Sequence, residues 1–199
     1  MTSPINVQEL TGMQYLMVAH WHAEGLHNPY DGFLGLVCEQ HQFNYRLWHE
    51  EDIARSTRVG DSRVAAAKRA IDQMNQQRND AIERLDEVLD EDLCQQKINS
   101  DGPLNTETPG SAIDRLSILA LRIYHLEQQL DRPDAGESHM QNVRRKIAIG
   151  KLQHGELSQS LEELLNDLFA GRKRHRIYRQ MKMYNDPALN PHLDGCNSQ

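Results

Sequence analysis

Apolar residues recur at three- and four-residue intervals through most of this chain, and that spacing restricts it to helices. Leu10, Met13, Met17 and Trp21 form one stripe, and Val64, Ala67, Ile71, Met74, Ile82, Leu85 and Leu89 form a longer one. Val143, Ile147, Leu157, Leu161, Leu164 and Leu168 form a third. Runs that alternate apolar and polar residues are scarce, and the 12 glycines and 7 prolines fall mostly at segment ends. Ser3-Pro4 reads as a cap followed by a first-turn proline, so the first helix is expected to start there. Turn chemistry at Asn28 to Gly32 separates it from a second helix over about Phe33 to Arg55. Gly60 and a capping Ser62 open a third, and the polar linker Asn99 to Glu107 closes it. Thr108-Pro109 opens a fourth, to about Leu130. The fifth runs over roughly Ser138 to Ala170 and stops at Gly171. The expectation is an all-α, single-domain bundle of about five helices over residues 1–185, with an irregular C-terminal tail at 186–199.

Composition removes several classes. The longest apolar run, Phe33 to Cys38, is far below the ~20 residues that span a bilayer, so no membrane is expected as partner. Met1 to Leu10 lacks a basic start and an apolar stretch, so no signal peptide is expected there and the default setting is cytoplasmic. The three cysteines, Cys38, Cys94 and Cys196, are odd in number and far apart, which argues against a disulfide framework or a zinc knuckle. With 22 Lys+Arg against 29 Asp+Glu, the net charge of −7 argues against nucleic acid as the partner. No Gly-x-x-x-x-Gly-Lys loop, Gly-x-Ser-x-Gly elbow or Cys-x-x-Cys pair is present.

The informative residues are polar ones standing on faces that should be apolar. On helix two, His41, Asn44, Glu51, Asp52 and Arg55 share a broad face with Phe33, Leu36, Val37, Leu47 and Trp48. On helix three, Arg78 sits between Met74 and Ile82, with Asn75 and Asn79 beside it. Helix four is apolar nearly all round, which marks a central helix and encloses Asp114, Arg115, Arg122 and His125. Buried charges cost several kcal/mol unless paired. Asn44, Glu51, Asp52, Arg55, Asn75, Arg78, Asp114 and Arg115 are therefore expected to meet in one network. Asp52–Arg55, Glu51–Arg78 and Asp114 with Arg115 or Arg122 are the expected pairs. The network is either structural, fixing helix register, or the lining of a pocket between helices.

Three further features carry chemistry. The start of helix four, Thr108-Pro109-Gly110-Ser111, offers backbone N–H groups to an anion, with Arg115 a turn and a half on; a nearby carboxylate is the competing occupant. Among the ten histidines, His49 and Asp52 have the spacing of a helical metal pair, but no second matching pair appears, so no metal site is expected. The basic stretch Arg172 to Lys182 suggests an anionic partner or docking on the protein's own acidic helices.

Asn44 to Arg55, Lys68 to Asp80, Glu107 to Leu119 and Tyr178 to Pro187, taken in order, resemble the bacterial family called domain of unknown function 4254. The pieces Trp48, Glu51, Asp52, Arg55 and Pro109, Gly110, Asp114 are more weakly similar to domain of unknown function family 6165. The resemblance implies a bacterial, mostly helical protein with no established activity and no assigned catalytic residues. It tilts the expected ligand toward sugar or nucleotide-sugar phosphates. The expected function is binding of, or action on, a small anionic or phosphorylated ligand in a polar pocket between helices. Asn44, Arg55, Asn75, Arg78, Gly110, Ser111, Asp114 and Arg115 would contact it. If there is a reaction, Glu51 or Asp52 would be the general base and Arg78 or Arg115 the anion clamp. The alternative is a non-catalytic accessory protein that docks a partner enzyme, the network being purely structural. Neither a cofactor nor an oligomeric state follows from these residues.

Overall fold

The structure is a computed structural model, and it describes residues 3–98, 100–181 and 188–190. Five helices follow one another: α1 (Val7–Glu24), α2 (Gly32–Arg55), α3 (Asp61–Gln95), α4 (Pro109–Leu130) and α5 (Glu137–Phe169). The fold is a single all-α bundle, and among the described residues there is no sheet. Three helix starts, those of α2, α4 and α5, fall within a residue of their sequence signals. Helix α3 starts two residues early, with Gly60 and not Ser62 as its cap. In α1, Asn6 and not Ser3 is the cap: its side chain accepts the Glu9 N–H at 3.1 Å. Ser3 instead turns its hydroxyl to the Ile5 N–H.

The most extensive helix contacts are α2 with α3 and α4 with α5, and α1 packs chiefly on α4. Helix α4 touches all four others, the central position that its nearly all-round apolar surface requires. Its start is capped by Thr108, whose hydroxyl accepts the Ser111 N–H at 3.2 Å, and Pro109 gives up an N–H that the first turn leaves unpaired. Leu10, Met17 and Trp21 of α1, Val37 and Cys38 of α2, Leu85 and Leu89 of α3, Ile113, Leu116 and Leu121 of α4, and Leu161, Leu165 and Phe169 of α5 form one continuous core.

Beyond α5 the chain turns at Gly171, whose φ of +68° suits a residue without a side chain. It then runs extended beside the α3–α4 linker, where the Asn105 N–H donates to the Arg174 carbonyl at 2.8 Å. The basic residues fold onto the protein itself. Arg179 pairs with Glu83 at 2.9 Å and Glu87 at 2.6 Å on α3, and Arg172 and Lys173 both pair with Asp167. Lys182, and most of the tail expected at 186–199, lie outside the described residues.

Two glycines set opposite expectations. A Cβ at Gly110 would stand 2.6 Å from the Ile82 carbonyl oxygen and 2.9 Å from Asp86, so α3 crosses the start of α4 against bare backbone. Gly155, inside α5, has nothing within 4 Å of that position. Gly110→Ala should destabilise by about 1–3 kcal/mol through overpacking, whereas Gly155→Ala should stabilise by up to about 1 kcal/mol through helix propensity. Urea unfolding of the two variants checks both signs.

Candidate functional site

A chain of directed hydrogen bonds crosses the middle of the bundle. Asn44 on α2 donates to Asp114 Oδ1 at 2.8 Å and to Ser117 Oγ at 2.9 Å, both on α4. His41, one turn earlier on α2 and fully buried, has Nδ1 2.6 Å from Ser117 Oγ and Nε2 2.9 Å from the Gln14 carbonyl of α1. A carbonyl can only accept, so Nε2 carries the proton and Nδ1 accepts from the Ser117 hydroxyl. Gln14 in turn donates to the Ile113 carbonyl at 3.2 Å. Gln40 donates to Asp114 Oδ1 at 2.6 Å, and Arg78 of α3 brings Nε to 3.8 Å from the same oxygen. Four helices are tied through one set of polar atoms.

Of the expected network, the structure brings together Asn44, Arg78 and Asp114. The other members lie elsewhere, because on these helices exposure resolves the charges more cheaply than burial. Glu51 pairs with Arg55 at 2.9 Å on an outer face of α2, in place of the expected Glu51–Arg78 and Asp52–Arg55 pairs. Asn75 is half-buried along α3, and Asp52 is exposed. Arg115 is exposed and holds both oxygens of Glu107, at 2.7 and 2.9 Å, rather than Asp114. Sequence reasoning missed Gln14, Gln40 and Ser117. Their signal was present: each stands three or four residues from buried apolar neighbours on its own helix.

The helix-four N-terminus is occupied from within. Asp86 of α3 accepts the Gly110 N–H at 2.7 Å, and the Ser111 N–H goes to Thr108. Asp86 is the neighbouring carboxylate that competes for this position, so Gly110 and Ser111 already have partners. Burial pushes the Asp86 carboxyl above its ordinary range, against the bonds from Thr108 and Gly110. Burial likewise raises Asp114, opposed by Arg78, Asn44 and Gln40.

Two other constellations lie outside this network. Between α4 and α5 an open cleft of about 610 Å³ is lined by Arg115, Ile118, Arg122, Gln153, Glu156 and Ser160, among others. At the other, imidazoles from three helices converge: one nitrogen each of His22 (α1), His49 (α2) and His125 (α4) lies within 4.8 Å of the others. Burial, then the neighbouring rings, lower His125 to about 4, and burial, then His22, lower His49; both are neutral near pH 7. The spacing of His49 and Asp52 pointed at one member of this group. His22 and His125 could not be added from sequence, since nothing local places α1 and α4 beside that turn of α2.

The family described as Protein of unknown function (DUF4254) matches residues 34–177. The chain belongs to this family. The match runs from the first turn of α2 to the extended segment after α5, so in this DUF4254 protein it takes in most of the buried network and the α4–α5 cleft. Of the histidine cluster, His49 and His125 fall within the DUF4254 match and His22 precedes it. The likeness to family 6165 is not shown. No curated protein and no solved structure matches the chain.

The buried network predicts a pH dependence. An unfolded imidazole takes a proton near 6.5, and folded His41 refuses it until about 4, chiefly because of burial. Stability is therefore lost as pH falls from about 6.5 to about 4, by about 3 kcal/mol from this group. The raised Asp114 works in the opposite sense, since acidification favours its protonated folded form. His41→Gln should be less stable than wild type at pH 7, and should lose about one proton's worth of the slope of stability against pH between 4.5 and 6.5. Urea unfolding across that range reads the difference.

Proposed function

We propose that the protein binds a small anionic ligand, a phosphorylated sugar or nucleotide-sugar by class, in the cleft between α4 and α5. The observation that carries this is Arg122. Its guanidinium lines a cleft of about 610 Å³ and has no ion-pair partner among the described residues. That volume lies in the range of small-molecule sites. Arg115 stands two helical turns before Arg122 on the same cleft, so two guanidinium groups can reach one phosphate, with Arg115 exchanging its Glu107 carboxylate for the ligand. Gln153, Glu156 and Ser160 across the cleft on α5 offer donors and acceptors suited to sugar hydroxyls, and Ile118, Leu119 and Leu157 give apolar contact.

The reading assigns binding and no reaction, and Glu51 and Asp52 take no part in it. It carries with it a bacterial, cytoplasmic setting, in keeping with the free thiols of Cys38 and Cys94 and with the finding that no helix of the described residues is long and apolar enough to cross a membrane. The accessory-protein alternative drew on the basic tail, and Arg172, Lys173 and Arg179 are engaged with the protein's own carboxylates.

Inorganic phosphate and a panel of sugar phosphates and nucleotide-sugars, titrated against the full chain, should raise the melting temperature saturably. Arg122→Gln should weaken binding about 10- to 100-fold, the worth of a charge-assisted hydrogen bond, without loss of stability, because Arg122 is exposed. A flat response to the whole panel at millimolar concentration, or equal binding by Arg122→Gln, would overturn the reading.

A further inference from the structure

Three imidazoles from three different helices each bring one nitrogen within 4.8 Å of the others, and each is held there by separate means. His22 Nδ1 lies 2.7 Å from the Val18 carbonyl, so this nitrogen carries the proton and Nε2 keeps its lone pair. A backbone carbonyl fixing one imidazole nitrogen while the other stays free is the outer-shell arrangement of metal-ligating histidines. Nε2 of His49 and Nε2 of His125 are both buried and have no hydrogen-bond partner. Aromatic walls fix the rings. Trp48 stacks on His125 at 4.7 Å with planes 8° apart, Tyr124 lies over His22 at 4.8 Å, and Tyr45 packs against His49 at 4.6 Å. Two buried imidazole nitrogens without partners, brought together at one place beside a third imidazole, are an unmet demand that a single ion can satisfy.

We propose that His22, His49 and His125 form a three-histidine site for a divalent transition-metal ion of the zinc class. Three neutral nitrogen donors suit zinc and its neighbours, whereas magnesium and calcium require oxygen ligands. Two nitrogens on one tetrahedral zinc stand about 3.3 Å apart. The observed limit of 4.8 Å therefore closes by at most about 1.5 Å, the scale of a side-chain adjustment. Asp52, one turn beyond His49 on α2, acts electrostatically on both His49 and His125 and supplies negative charge beside the ion. Three protein ligands leave a fourth position for water or an incoming group, the pattern of reactive rather than purely structural zinc centres. The site uses none of the residues of the α4–α5 cleft, so the two readings stand or fall separately.

The test uses the full-length chain stripped with a chelator and titrated with zinc alone, then with cobalt. The expected result is uptake of one ion per chain, a saturable rise in melting temperature, and the visible absorption bands of a tetrahedral cobalt site. His49→Gln and His125→Gln should weaken zinc binding by more than the roughly 10- to 100-fold that losing an outer-shell partner costs. His22→Gln, at an exposed position that keeps the fold, should do the same, while His139→Gln, an exposed histidine elsewhere on α5, should leave it unchanged. Absence of stoichiometric uptake at micromolar zinc, or uptake equal in wild type and His22→Gln, would overturn the proposal.

Discussion

A neutral imidazole sealed between three helices is the constraint around which the bundle is arranged. His41 is completely buried, and its two nitrogens have opposite needs, one to donate and one to accept. The Gln14 carbonyl meets the first need and the Ser117 hydroxyl the second, and Ser117 is itself set by Asn44. Each bond fixes the next, so α1, α2 and α4 have one mutual register in which all are made. Sliding α2 by one turn against α4 would strand His41, Asn44 and Asp114 together, at about 1–3 kcal/mol for each unsatisfied group. Apolar packing drives the collapse, but it is tolerant of small slips. The directed bonds make one register distinct.

The same economy explains where charge is found. Asp114 is buried because three donors converge on it, two amides and, more distantly, Arg78. Asp86 is buried because the start of α4 presents the Gly110 N–H and the positive end of the helix to it. Glu51, Arg55, Glu107 and Arg115 had no such convergence of donors, and each found one partner at the surface. Burial of a carboxylate here follows the count of donors available to it, not the face of the helix on which it stands.

Much of this was legible in the sequence. The 3.6-residue periodicity and the Thr108-Pro109 start located the helices, and the nearly all-round apolar surface of α4 marked it as central. Asn44, Arg78 and Asp114 were readable as a group because each interrupts an apolar stripe on a different helix. What periodicity cannot give is rotation about each helix to better than a broad face, so Arg55 and Arg115, near the edges of their stripes, looked enclosed and are not. Nor can it say which helices touch at a given height. The convergence of His22, His49 and His125 depends on α1, α2 and α4 meeting at one level, which only the packed structure supplies.

The claim that the central network is a closed scaffold, leaving ligand chemistry to the cleft and the histidine cluster, is tested most directly at His41 itself. Two-dimensional nitrogen–proton NMR of the imidazole reads both its tautomer and its titration. The account predicts a neutral ring protonated at Nε2 whose signals stay fixed from pH 8 down to about 5, as burial to a value of about 4 requires. A ring that titrates near 6.5, or one protonated at Nδ1, would mean that the network is open to water and would contradict it.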